Sequence, residues 1–129
     1  MKKTGLLNSN IERLLTTLRH TDSIVIADCG LPIPAHVPEI DIAVALGEPS
    51  FMRILELIRD NMQIESVVLA EEIKMHNSGI HQTLTTQFDD ITYVSHEQFK
   101  IQTKNAKAII RTGEATPYAN IILRSGVIF

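Results

Sequence analysis

The sequence predicts an α/β fold: three layers, α/β/α, around a mixed, mostly parallel sheet of about six strands. Two observations lead there. Helical and strand patterns alternate through most of the chain, which is the signature of helices covering both faces of a sheet. The last two strand patterns have no helix between them, so part of the sheet is expected to be antiparallel.

The elements follow in order. Asn8 to Leu18 reads as the first helix, with Ile11, Leu14, Leu15 and Leu18 forming one apolar stripe. Ser9 and Glu12 have capping-box spacing, in which hydroxyl and carboxylate satisfy free backbone N–H groups. Ser23 to Ala27 (SIVIA) is short and β-branched, a buried strand. Asp28 to Pro34 (DCGLPIP) is irregular, because Gly30 permits unusual angles and Pro32 and Pro34 hold the chain extended. Ile40 to Leu46 is a second strand, closed by Gly47 and Pro49. Ser50 caps a helix to about Asn61, with Phe51, Ile54, Leu55 and Ile58 inward. Ser66 to Ala70 is the third strand. Glu71 to Gln87 holds a helix interrupted at Asn77-Ser78-Gly79, its more regular half beginning near Ile80. Ile91 to Val94 is the fourth strand. Ser95 and Gln98 open a helix to about Thr103. Lys107 to Arg111 is the fifth strand and Thr112 to Tyr118 a loop. Asn120 to Arg124 and Val127 to Phe129 read as strands joined at Ser125-Gly126.

Composition bounds the function. With 129 residues, 44% hydrophobic and 21% charged, residues 1–129 read as a single folded domain. The net charge of −3 argues against a nucleic-acid surface. One cysteine, Cys29, excludes an internal disulfide and fits a reducing compartment. No apolar run approaches the ~20 residues that span a bilayer, and the N-terminal residues do not read as a signal peptide, so a cytoplasmic location is expected. There is no P-loop, no G-x-G-x-x-G and no G-x-S-x-G. His76 and His81, five apart, match one helix face poorly, so no metal site is expected there.

Open α/β sheets bind ligands beyond the carboxyl ends of their strands. Asp28 lies at such an end, where it caps a loop as readily as it touches a ligand. His20 follows the first helix, and its simplest role there is to meet the helix dipole. His96 opens a helix, where the dipole favours the neutral ring; an ordinary surface histidine is the alternative. Lys100 lies four residues on, on the same face. In TGEATPYAN, Tyr118 and Asn120 point to one side if the backbone is extended, and both donate and accept. Such groups suit a polyhydroxylated ligand.

Taken as an ordered set, MKKTGLLN, His20, VIADCGLPIP, SHEQFK and IIRTGEATPYANIIL closely resemble the D-ribose pyranase family. The blocks span nearly the whole chain; Ser50 to Asp90 carries the weakest likeness, and Cys29 stands where many relatives have Ala. The fucose mutarotases share the architecture. The resemblance implies cofactor-independent interconversion of the pyranose and furanose forms of D-ribose. It implies His20 as proton donor and Asp28, His96, Tyr118, Ala119 and Asn120 as substrate contacts, with the role of Lys100 open. It further implies a cytoplasmic homo-oligomer, a decamer of stacked pentameric rings. Alternatives are a mutarotase for another sugar such as fucose and a non-catalytic sugar-binding module. One geometric expectation follows. His20 and Asp28 flank one strand, and eight extended residues reach up to roughly 26 Å, far beyond a pentose. A site holding both is therefore expected between subunits.

Overall fold

The computed structural model describes all residues, 1–129. Its elements run α1 (Ser9–Thr17), β1 (Ser23–Ala27), β2 (Glu39–Asp41), α2 (Phe51–Arg59), β3 (Ile64–Ala70), α3 (Ile73–His76), α4 (Ser78–Gln87), β4 (Ile91–Val94), α5 (His96–Gln102), a 3₁₀ turn (Thr103–Asn105), β5 (Ile109–Arg111) and β6 (Ile121–Ser125). The six strands form one sheet in the order β2-β5-β1-β6-β3-β4. Neighbours pair parallel except β6, which is antiparallel to both β1 and β3. The sheet is thus mixed and mostly parallel, as the missing last helix predicts.

Strand alternation divides the core. Ile24 and Ile26 of β1 point to one face with Val67, Leu69, Ile110, Ile121 and Leu123. There they meet Ile11 and Leu14 of α1, Phe51, Leu55 and Ile58 of α2, Ile73 of α3 and Leu84 of α4. Val25 and Ala27 point the other way, to Ile109, Ile122, Phe99 of α5 and Ala106. Both faces of β1 are buried, which explains its unbroken apolar run. Each fully buried Ile or Leu contributes ~1.5–3 kcal/mol. Four helices cover one face and α5 covers part of the other. No helix is long and apolar enough to cross a membrane.

Several boundaries differ from the sequence reading. Asn8, not Ser9, caps α1, its Oδ1 accepting from the backbone N–H of Asn10 and Ile11 at 3.0 Å each. Glu12 instead pairs with Lys2. The second strand stops at Asp41, whose Oδ1 accepts from the Ala43 N–H and turns the chain away. Val44 and Leu46, read as strand, are exposed on the loop beyond. The second half of the interrupted helix starts at Ser78, ahead of Ile80. Val127 to Phe129 is not a strand. β6 already has β1 and β3 on its two sides, and the Gly126 N–H donates to the Gln63 carbonyl as the chain leaves the sheet. Ile128 and Phe129 are exposed within the single chain.

Candidate active site

Five parallel strands end at one edge of the sheet, and β6, running the other way, begins there. This gathers Asp28 after β1, Glu71 and Glu72 after β3, Ser95 and His96 after β4, and Tyr118 to Asn120 before β6. Asp28 and Asn120 hold each other. The Asp28 N–H donates to Asn120 Oδ1 at 2.8 Å, and Asn120 Nδ2 donates to Asp28 Oδ2 at 3.0 Å. The other carboxylate oxygen of Asp28 accepts from the Gly30 N–H at 3.0 Å. Asn120 is fully buried, so this pair fixes the edge and leaves Asn120 one N–H and one lone pair in reserve.

Tyr118 stands beside them on a loop held at several points. Thr112 Oγ1 donates to the Ala27 carbonyl, and Asn77 Nδ2 donates to Thr116 Oγ1 and the Pro117 carbonyl. Glu114 receives the Phe51 N–H on one oxygen and the Thr116 hydroxyl on the other. A Cβ on Gly113 would run into backbone atoms of Ala45 and Glu48, so the loop passes where only glycine fits. Tyr118 has φ +58°, left-handed rather than extended. The extended-backbone argument for pairing Tyr118 with Asn120 therefore fails, although tertiary structure still brings both to this edge. The Tyr118 ring meets the His96 ring edge-on at 5.1 Å and the His76 ring at 5.7 Å.

His96 is half-buried and is no ordinary surface histidine. Its ring stacks on Phe99 at 6.4 Å. Its backbone N–H is received by both carboxylate oxygens of Glu72 at 3.0 Å. Its Nδ1 is buried with no partner in the chain. A cavity of about 520 Å³ opens alongside, lined by Glu71, Glu72, His76, Tyr93 and Ser95 among others. His81 turns elsewhere, to the Tyr93 hydroxyl at 2.7 Å. No group of three His, Cys, Asp or Glu side chains converges as metal ligands would. Lys100 pairs with Glu97 at 2.7 Å, and that contact holds the Glu97 carboxyl below its usual range.

His20 lies at the opposite edge, before β1, away from the other predicted residues. It lies beyond α1, which ends at Thr17 with no basic residue in its last turn. Its Nε2 meets Glu65 Oε1 at 3.0 Å, and its side chain is 50% exposed. His20 is the chief reason the Glu65 carboxyl sits below its ordinary value; partial desolvation opposes this, and Arg124 adds to it. A second cleft of about 320 Å³ adjoins it, lined by Leu18, Gln63, Gly126 and Phe129. Sequence reasoning missed Glu65, Glu72, His76 and Asn77, because their partners lie far along the chain. Only the position of Glu71-Glu72 at a strand's carboxyl end was a local signal.

Comparisons with known proteins place the chain in a family. Residues 1–128 match the model of the RbsD / FucU transport protein family. The D-ribose pyranase of Staphylococcus haemolyticus is 59% identical over 129 residues, all of both chains. A structure of Bacillus subtilis RbsD complexed with D-ribose superposes with a TM-score of 0.96 at 49% identity, covering all of both chains. A fucose mutarotase from Streptococcus pneumoniae, in complex with L-fucose, superposes at 0.73 with 26% identity over 95% of each chain. The family model and the end-to-end sequence match thus converge with the shared fold, and the chain belongs to the RbsD / FucU transport protein family.

Proposed function

We propose that the protein is a D-ribose pyranase, interconverting the pyranose and furanose forms of D-ribose without a cofactor. The observation that carries this reading is the cluster of Asp28, Asn120, His96 and Tyr118 at one sheet edge. It offers hydrogen bonding on several sides of a small neutral polyol. The unpartnered His96 Nδ1 supports it, because a buried polar atom without a partner costs ~1–3 kcal/mol and a ligand hydroxyl removes that cost. The 59% identity to a D-ribose pyranase and the 49% identity to a ribose-bound relative favour ribose over fucose, for which the identity is 26%.

The chemistry needs one proton-transfer group and several holders. Pyranose and furanose differ in which hydroxyl closes on C1, so the path runs through the open aldehyde. In opening, the protonated His20 gives a proton to the ring oxygen while the anomeric hydroxyl gives one to solvent water. In closing, neutral His20 takes the proton of the attacking hydroxyl and the carbonyl oxygen takes one back from solvent, so no proton is gained or lost overall. An imidazole suits both steps at neutral pH, and positioned proton transfer contributes ~10²–10⁴-fold. Asp28, His96, Tyr118, Ala119 and Asn120 bind the sugar, Ala119 through its backbone.

The separation of His20 from these groups supports a site shared between two subunits. β1 alone is five residues, about 16 Å at ~3.3 Å each. The exposed apolar side chains Leu7, Val44, Leu46, Ile128 and Phe129 support burial against further copies. In this reading the working unit is a cytoplasmic homo-oligomer, a decamer of stacked pentameric rings. Saturation-transfer NMR on D-ribose tests the function. Wild type accelerates pyranose–furanose exchange and His20→Ala does not; no acceleration by wild type overturns the reading. L-Fucose run alongside is expected to respond less, and a stronger response there would make the protein a fucose mutarotase.

A further inference from the structure

The start of β3 contains an irregularity whose position is informative. Along β3 and β6 the register runs Val68 to Ile122, Val67 to Leu123 and Ser66 to Arg124, and then jumps to Ile64 opposite Ser125. Glu65 is the extra, unpaired residue of a β-bulge. Bulges re-aim a side chain and are enriched beside active sites. This one brings Glu65 Oε1 to 3.0 Å from His20 Nε2. The second oxygen, Oε2, lies 3.4 Å from Arg124 Nε, on the strand opposite the bulge. Both carboxylate oxygens are thereby engaged, and the pair is not an incidental meeting of free side chains.

The His20 side of the contact is fixed as well. The Asp22 N–H donates to the Arg19 carbonyl, and Asp22 Oδ2 accepts from the Arg19 N–H at 2.8 Å. The Thr21 N–H donates to the Ser125 carbonyl at 2.9 Å. Between them Thr21 has φ +73°, an unfavourable conformation for a β-branched residue and one that persists where surrounding structure demands it. A strained turn on one side and a bulge on the other converge on one imidazole–carboxylate contact.

We propose that Glu65 is the positioning residue for His20, fixing its tautomer so that Nδ1 is the atom that exchanges protons with the sugar. This rests on the reading of His20 as the proton-transfer group. A carboxylate accepts and does not donate, so the nitrogen facing it, Nε2, carries hydrogen in both protonation states. The neutral ring then presents its lone pair at Nδ1. The imidazolium presents its second N–H there. In ring opening, the Nδ1 proton passes to the ring oxygen; in reclosure, the Nδ1 lone pair takes the proton of the attacking hydroxyl. The Nε2 proton stays on Nε2, and the Glu65 carboxylate stays ionised. Without it the neutral ring divides between two tautomers, one of which has no lone pair facing the sugar.

The test combines long-range ¹H–¹⁵N NMR of the histidine rings with saturation-transfer kinetics on D-ribose, for wild type, Glu65→Gln, Glu65→Asp and His20→Ala. Above its titration, His20 of the wild type is expected as the single Nε2–H tautomer. Glu65→Gln should give mixed tautomers and a kcat lowered about 10-fold or more, with KM for ribose little changed, because the other sugar contacts remain. Glu65→Asp, which keeps the charge on a shorter arm, should recover part of both signals. If Glu65→Gln keeps the single tautomer, or keeps wild-type kcat, while His20→Ala is inactive, the inference about Glu65 is overturned and the role of His20 stands. If His20→Ala exchanges ribose as fast as wild type, the reading of His20 itself falls.

Discussion

Asn120 and Tyr118 sit two residues apart, yet the Asn120 side chain is bonded within the chain and the Tyr118 hydroxyl is not. Asn120 is fully buried and makes two hydrogen bonds with Asp28, one to its backbone and one to its carboxylate. Asn120→Ala leaves an N–H and a carboxylate oxygen of Asp28 short of partners. At ~1–3 kcal/mol for each of the two unsatisfied groups, the loss should be about 2–6 kcal/mol, read as a lower urea midpoint, with ribose exchange falling too. Tyr118→Phe removes only a hydroxyl that makes no bond within the chain, while the ring remains against His96 and His76. Its stability should stay within ~0.5 kcal/mol of wild type, while exchange slows measurably. A Tyr118→Phe protein that exchanges ribose at the wild-type rate would remove that hydroxyl from the site. The same two residues show what can be read locally. Their residue types suggested a polyol site, and the edge does gather them. The extended backbone on which their pairing depended is absent, since Tyr118 is left-handed, and the turn is held partly by Asn77, about forty residues away in sequence.

Elements were legible where one short window contains both the cause and the effect. The apolar run of β1, the Ser50 and Ser95 caps and the inward stripe of α2 are of this kind, and each has the expected place. Errors fell where a second segment decides. The length of β2 depends on β5 ending at Arg111 and on the turn at Asp41. The fate of Val127 to Phe129 depends on β6 being central in the sheet, which no local periodicity records. The bulge at Glu65 is invisible for the same reason, being a relation between two strands. The α1 cap lies one residue ahead of the Ser9 expected from the sequence, and it can be tested directly. Asn8→Ala should cost ~1 kcal/mol, the usual worth of an N-cap that accepts backbone N–H groups. Ser9→Ala should cost almost nothing, because its hydroxyl caps nothing. Chemical denaturation of the two variants distinguishes them, and a larger loss for Ser9→Ala than for Asn8→Ala would return the cap to Ser9.

At the scale of the molecule, His20 and the Asp28 cluster occupy opposite edges of one sheet, and side-chain motion cannot bring them together across β1. If both act on one sugar, they act from different chains, which makes the proposed site a property of an interface. Such an interface can be tested by mixing. His20→Ala lacks the proposed proton-transfer group, and His96→Ala lacks a proposed sugar contact while retaining His20. Each variant alone should be inactive or nearly so. When both are produced in one cell, a site formed between two subunits has both parts intact when His20 comes from a His96→Ala subunit and the cluster comes from a His20→Ala subunit. With equal expression and random neighbours, about one quarter of the sites should be whole, and ribose exchange should return to about that share. A site contained in one chain predicts no recovery, because every chain then carries a damaged site whatever its neighbours. Recovery requires neighbouring chains to be bound when the sugar arrives. It should therefore follow the fraction of protein in the assembled state on dilution, and the size of that state can be measured by sedimentation of the same sample. An inactive mixture that is fully assembled would place both parts of the site on one chain and would reject the shared site while leaving the proposed reaction itself untouched.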